Sequence, residues 1–258
     1  MKKYFYSLLV ISLMLAMFTA CSSSPKRAMV FSEITSLAYD SYEKANAAII
    51  QGDRTKAASL LQDAYKRAVS VDNNELVCKI LLSSVSYRIL FAVTENVNSE
   101  SESKPQVFIF SDTPILIEKA KICAAQTEKK EYLDTIIAVY ETRSILNEAQ
   151  KTKSYFNNEK QQKNLDACIK TLEKEPYYLA YLYRTKGECY SHVSDFLNAE
   201  LCFEKAAEIH TQSRYLQEIS YDWYLAAQAY SKDGKKENAL TSIQNALKYD
   251  KDAENPSG

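Results

Sequence analysis

The sequence predicts an all-α protein: a right-handed solenoid of about five antiparallel helix hairpins. Its 258 residues include four glycines and five prolines, too few for the many turns of a β-sandwich or barrel. The chain is 46% hydrophobic and 25% charged, which is ordinary for a globular protein. A helix–turn–helix pattern also recurs along the chain. Helices stacked in pairs are therefore the expected architecture.

Three segments share this helix–turn–helix pattern. They run over 45–64, 187–206 and 223–246, and each has a short polar turn near its middle. Small residues recur where the two helices of a pair would cross, which lets the backbones approach closely. One hairpin cannot bury its apolar faces alone, so such units are expected to stack.

The second and third segments resemble the tetratricopeptide repeat, a helix–turn–helix unit of about 34 residues. The resemblance rests on aromatic, small and bulky residues at the family's spacing: Tyr183, Gly187, Tyr190, Ala199, Phe203 and Ala206, then Trp223, Ala227, Tyr230, Ala239, Ile243 and Ala246. The first segment matches less well, with Ser41 and Ala48 where aromatic residues are expected. The resemblance implies stacked hairpins that enclose a concave ligand-binding groove.

The intervening sequence also predicts helices. An apolar stretch over 75–95 predicts a central helix buried on most sides. Thr113 and Pro114 predict the start of a helix that runs to about Thr127, with Thr113 as its N-cap. Segments 131–150 and 159–174 predict another antiparallel pair, joined near 155–158. Residues 34–252 would then form one domain, followed by a disordered stretch over 253–258.

A polar insertion over 96–112 is expected to interrupt this domain. Its polar composition is typical of flexible segments, and near its end it contains an abrupt apolar run over 107–110. Two interpretations remain open for this run. It folds back onto the helices, or it is the adhesive tip of a mobile loop.

The first residues have the pattern of a secretory signal. Lys2 and Lys3 precede an apolar run over 4–18, which is short for a membrane-spanning helix of about 20 residues. The last residue of this run and the three that follow, Phe18-Thr19-Ala20-Cys21, resemble the lipobox of bacterial lipoproteins. That resemblance implies a signal peptide over 1–20, fatty acylation of Cys21 and a flexible tether over 21–33. We expect a lipid-anchored protein on the periplasmic face of the cell envelope, at the outer membrane. An uncleaved N-terminal anchor helix is the alternative.

Composition argues against several functions. A formal net charge of −1 does not favour nucleic-acid binding, and the scattered glycines cannot form a phosphate-binding loop. With two histidines, His192 and His210, we predict no metal site, no cofactor and no enzymatic activity. Three carboxylates are expected to form a solvated face: Glu188, Glu200 and Glu204. Five cysteines follow Cys21 at spacings that fit no metal motif; one disulfide, Cys189–Cys202, is left open.

The tetratricopeptide resemblance implies that the first helix of each hairpin lines the groove. The candidate binding residues on those helices are mostly aromatic or amide side chains: Tyr39, Tyr42, Asn46, Tyr181, Arg184, Glu188, Tyr221, Tyr224 and Gln228. Tyrosine offers an apolar face and a hydroxyl, which suits peptides. We therefore predict an envelope scaffold that binds a protein or peptide. Two alternatives are a solute-uptake accessory that handles a small hydrophobic ligand and an outer-membrane assembly lipoprotein.

Overall fold

The computed structural model describes residues 26–91 and 112–253, with side chains from residue 32 onward. All of its regular secondary structure is α-helical, which confirms the predicted fold class. We number its ten helices in chain order: α1 (Lys26–Ile50), α2 (Arg54–Ser70), α3 (Asn74–Leu90), α4 (Thr113–Ala125), α5 (Lys130–Thr152), α6 (Asn158–Leu172), α7 (Pro176–His192), α8 (Phe196–Ser213), α9 (Leu216–Lys232) and α10 (Lys236–Asp252).

Short polar turns set the helix boundaries. Gly52 adopts a positive φ of 76° between α1 and α2, a conformation that costs glycine little. The next residue, Asp53, caps α2 by accepting a hydrogen bond from the Lys56 amide at 3.0 Å. Asn73 caps α3 and Asp195 caps α8 in the same way. Such caps satisfy amides that the first helical turn leaves without partners.

The odd-numbered helices form an inner layer. In this layer α1 contacts α3, α3 contacts α5, and α5 contacts α7. Buried ion pairs from Arg184 join α7 to α9, and α9 in turn contacts α1. The five inner helices therefore meet around a common centre, and the first inner helix lies against the last.

Small residues bring the paired helices together at the predicted crossings. Ala57, Ala64, Ala199 and Ala206 are fully buried. Gly187 of α7 faces the ring of Phe203 on α8, and a Cβ atom at Gly187 would lie 2.6 Å from Phe203 Cε1. Hydrogen at this position is therefore what allows α7 and α8 to approach so closely.

The remaining helix predictions are confirmed, with one correction. Helix α3 is buried on nearly every side from Leu76 to Tyr87, as its apolar sequence predicts. Thr113, however, is the first helical residue and not the N-cap of α4. The N-cap is Asp112, whose carboxylate makes no capping hydrogen bond and instead accepts from Arg88 at 3.0 Å. Pairing with α3 thus replaces the local capping that the threonine suggested.

Several predictions concern residues outside the described ranges. These are the signal peptide over 1–20, the lipidated Cys21, the first part of the tether (21–25), most of the insertion, the apolar run over 107–110 and the end of the chain. The rest of the predicted tether, 26–33, is helical and forms the start of α1. Among the helices that are described, none is both long and apolar enough to cross a membrane.

Candidate functional site

A cavity of about 440 Å³ opens where α1, α3, α7 and α9 meet. Tyrosine and charged side chains dominate its walls: Tyr39, Tyr42, Glu43, Asn46, Ala47, Lys79, Glu175, Tyr177, Tyr178, Tyr215, Gln217 and Glu218. We call it the tyrosine cavity. Its volume lies within the range of about 300–1,000 Å³ that is usual for ligand sites.

Hydrogen bonds and ring contacts hold the tyrosines in place. The hydroxyls of Tyr42 on α1 and Tyr178 on α7 lie 3.0 Å apart and share a hydrogen bond. The hydroxyl of Tyr177 donates to Glu218 on α9 at 3.2 Å. The ring of Tyr177 also meets that of Tyr215 edge-on, with centroids 5.3 Å apart. The aromatic walls are therefore fixed before any ligand arrives.

Charged neighbours give this cavity its electrostatic character. Burial raises the pKa of Tyr177, and the negative charge of Glu218 raises it further. For Lys79, burial lowers the pKa, but the hydrogen bond to Glu75 at 2.7 Å, the charge of that carboxylate and the neighbouring Tyr42 and Tyr39 together outweigh burial and leave the pKa above its usual value. Tyr177 thus remains neutral and Lys79 remains a cation at neutral pH.

The nine predicted groove residues fall into two groups in the structure. In six of them the side chain is partly accessible to solvent or lines a cavity. The other three, Tyr181, Arg184 and Glu188, belong to buried hydrogen-bond and ion-pair networks. Tyr39, Tyr42 and Asn46 line the tyrosine cavity. Tyr221 and Tyr224 line a smaller cavity of about 220 Å³ between α1, α9 and α10. Tyr224 also adjoins Gln228 in an apolar depression between α9 and α10.

Tyr181 and Glu188 belong to a buried network between α3, α5 and α7. The guanidinium of Arg143 donates to the Tyr181 hydroxyl, and its Nε lies 3.2 Å from a carboxylate oxygen of Glu188. Tyr181 also shares a hydrogen bond with Ser86 at 2.8 Å and stacks on Tyr140 with centroids 4.7 Å apart. These polar groups satisfy one another inside the inner layer, as buried polar groups must.

Arg184 is the centre of a second buried network. Its Nη1 lies 2.6 Å from Glu218 Oε2, and its Nε donates to Asp222 at 2.5 Å. The other carboxylate oxygen of Asp222 lies 2.6 Å from His210 Nδ1. Burial lowers the pKa of Arg184, but the two carboxylates outweigh burial and raise it well above its usual value. Arg184 therefore stays charged and ties α7 to α9.

The expected solvated face of carboxylates is wrong in the structure. Glu200 is 3% exposed and pairs with Lys235, the residue that precedes α10. Glu204 accepts a hydrogen bond from the Tyr230 hydroxyl at 2.6 Å, and Glu188 pairs with Arg143. Each carboxylate meets a donor from another hairpin, so none of them forms the free surface that its local sequence suggests.

Sequence reasoning missed the α7 and α9 walls of the tyrosine cavity. Tyr177 and Tyr178 precede Tyr181 by four and three residues, the spacings that place side chains on one helix face. Extending the groove prediction by one turn would have found them. Lys79 and Tyr215 carry no comparable local signal, because their place in the site depends on how distant helices meet.

A larger depression of about 850 Å³ lies on α5 and α6. It is open to solvent and has exposed polar side chains such as Glu128, Lys130 and Glu131 on its walls. None of the nine predicted binding residues lies there. Among the described residues, no three His, Cys, Asp or Glu side chains are placed to hold a metal ion.

The five described cysteines are free thiols, so the Cys189–Cys202 disulfide is not formed. Burial raises the pKa of Cys78 to about 12 and that of Cys202 to about 11. Because the thiolate is the reactive form, iodoacetamide at about pH 8 is expected to modify these two at least about tenfold more slowly in the folded protein than in concentrated urea. Mass spectrometry of tryptic peptides measures both rates. Equal rates in the two conditions would contradict the burial of these thiols.

No model of a known protein family matches the chain, and no curated protein matches its sequence. The described residues define an all-α protein with an aromatic cavity among its inner helices.

Proposed function

We propose that this protein is a lipid-anchored scaffold of the cell envelope that binds a partner protein or peptide through the tyrosine cavity. Its helices would form a right-handed, tetratricopeptide-like solenoid, a proposal supported by contacts between successive helices and within the inner layer. Fatty acylation of Cys21 would hold it at the periplasmic face of the outer membrane. The observation that carries the binding proposal is the cavity itself, whose walls contain five tyrosines.

Tyrosines at a concave surface favour protein recognition for a physical reason. Each ring supplies a large contact area at a low cost in side-chain entropy, and hydroxyls add directional hydrogen bonds. Tyr39 and Tyr215 are both at least partly accessible and belong to two different walls, contributed by α1 and by the residue that precedes α9. A bound segment could therefore touch both walls at once.

Site-specific photo-crosslinking tests the binding proposal. A benzophenone amino acid is placed at Tyr39, at Tyr215 or at the control position Tyr155, which is 87% exposed and away from the cavity. We expect discrete crosslinked products from the first two positions and none of these from Tyr155. The same products from all three positions, or none from the cavity, would refute the proposal.

The lipid anchor has a separate test. Cells that express the chain are supplied with radiolabelled palmitate, and the Cys21→Ser variant is the matched control. Label is expected on the protein that retains Cys21 and not on the Cys21→Ser variant, and the variant is expected in the soluble fraction. Two or three acyl chains are sufficient for stable anchoring, because each methylene group buried in the membrane contributes about 0.8 kcal/mol. Unlabelled protein in both cases would remove this part of the proposal.

A further inference from the structure

The tyrosine cavity also has an excess of negative charge on its walls. One lysine and three glutamates line it. The lysine, Lys79, pairs with Glu75 at 2.7 Å, a carboxylate that Lys129 also contacts at 3.0 Å. Glu218 pairs with Arg184 at 2.6 Å, and Arg184 also pairs with Asp222. Within the described residues, Glu43 and Glu175 form no such ion pair. Two carboxylates thus remain available beside the aromatic rings.

These carboxylates act on the rings themselves. Burial raises the pKa of Tyr215, and the charges of Glu43 and Glu175 raise it further. The potential at this ring is therefore negative, and a cation is the group it would stabilise. Both carboxylates are exposed, so a charged ligand can reach them from solvent.

One internal cation, the ammonium of Lys79, already lies over tyrosine rings at this site. The ammonium of Lys79 lies 5.9 Å from the ring centroid of Tyr178 and 5.5 Å from that of Tyr132. Such contacts contribute about 0.5–1 kcal/mol at exposed sites and about 2 kcal/mol when desolvated. Ring faces that accept an internal ammonium from α3 are suited to accept a second one from a ligand.

We propose that the tyrosine cavity binds an organic cation, an alkylated ammonium group held by the tyrosine ring faces and by the carboxylates of Glu43 and Glu175. This inference rests on the proposed function, since it names the chemistry that the same site recognises. The ammonium group belongs either to a basic side chain of a bound peptide or to a free small amine.

Isothermal titration of the full chain in detergent tests the proposal with matched probes. Choline represents the free amine, a short peptide with one trimethyllysine represents the peptide source, and 3,3-dimethylbutanol is the uncharged analogue of choline. We expect at least one cationic probe to bind at least about tenfold more tightly than its uncharged analogue. For the peptide, the analogue carries norleucine instead of trimethyllysine. Binding by choline alone assigns a free amine, and binding by the peptide alone assigns a side chain.

Variants locate the binding within the cavity. The double variant Glu43→Gln with Glu175→Gln is expected to weaken cation binding at least about tenfold. Exposed Glu148 lies on α5, outside the cavity walls, and Glu148→Gln is expected to change nothing. Tyr215→Phe keeps the ring and should retain binding, whereas Tyr215→Leu should lose most of it. Circular dichroism checks that each variant is folded.

Three results would overturn the inference. They are uncharged analogues that bind as tightly as the cations, no binding of either cation, or binding that the double glutamine variant leaves unchanged. If crosslinks form from Tyr39 and Tyr215 and any of these results is also obtained, the scaffold proposal stands and the inference of cation binding is refuted. If a cation binds but no crosslinks form, the scaffold proposal is refuted and the inference of cation binding stands. The two proposals can therefore be refuted separately.

Discussion

Replacing Arg184 by alanine is expected to lower the free energy of unfolding by about 3–5 kcal/mol. The guanidinium is 1% exposed, and its removal would leave Glu218 and Asp222 without their cation. Those two residues are 6% and 0% exposed, so solvent cannot replace the lost partner. Urea denaturation followed by circular dichroism measures the change.

A surface ion pair of similar geometry provides the control. Arg67 donates to Asp63 at 2.8 Å on α2, with both side chains partly open to solvent. Arg67→Ala is therefore expected to lower the free energy of unfolding much less than Arg184→Ala does. Adding Glu218→Gln and Asp222→Asn to Arg184→Ala should restore part of the lost stability, because the uncompensated charges are then gone. Equal losses for Arg67→Ala and Arg184→Ala would show that the inner network does not contribute as its burial predicts.

Gly187→Ala is expected to destabilise the protein by about 1–3 kcal/mol. In an exposed helix interior the same change stabilises by about 1 kcal/mol, so the sign of the effect is informative. The added Cβ would lie 2.6–2.9 Å from three ring atoms of Phe203, which is 2% exposed and cannot move aside freely. Thermal and urea denaturation measure the loss.

A second substitution tests whether the clash is the cause. Phe203→Leu removes the ring and is expected to destabilise the protein alone, through the cavity it leaves. Combined with Gly187→Ala, it should cost less than the sum of the two single changes, since the new methyl group then fills vacated space. Strictly additive losses would mean that Gly187 acts through its backbone and not through contact with Phe203.

Much of the helical structure could be predicted because its signals are local. The turn at Gly52 and Asp53, the cap at Asp195 and the apolar length of α3 act within a few residues of where they stand. Periodicity identified which residues share a helix face. The prediction that Thr113 is the N-cap was wrong: Asp112 is the N-cap, and its carboxylate forms an ion pair with Arg88 on another helix.

The candidate site was harder to predict because it depends on contacts between distant segments. Tyr181 and Arg184 lie on the predicted face of α7, yet that face is covered by α3, α5 and α9. An open groove would have left both side chains available to a ligand. Which tyrosines stay accessible is decided by the approach of α1 to α9, and no short stretch of sequence encodes that approach.

The contact between α1 and α9 has a consequence for how the molecule responds to stress. A linear row of hairpins unravels from its ends, since each terminal unit has a single neighbour. Here α1 of the first hairpin contacts α9 of the last hairpin, so unfolding of either hairpin removes packing contacts from the other. Tension applied at the amino terminus would thus reach the last hairpin directly, without passing through the three between them.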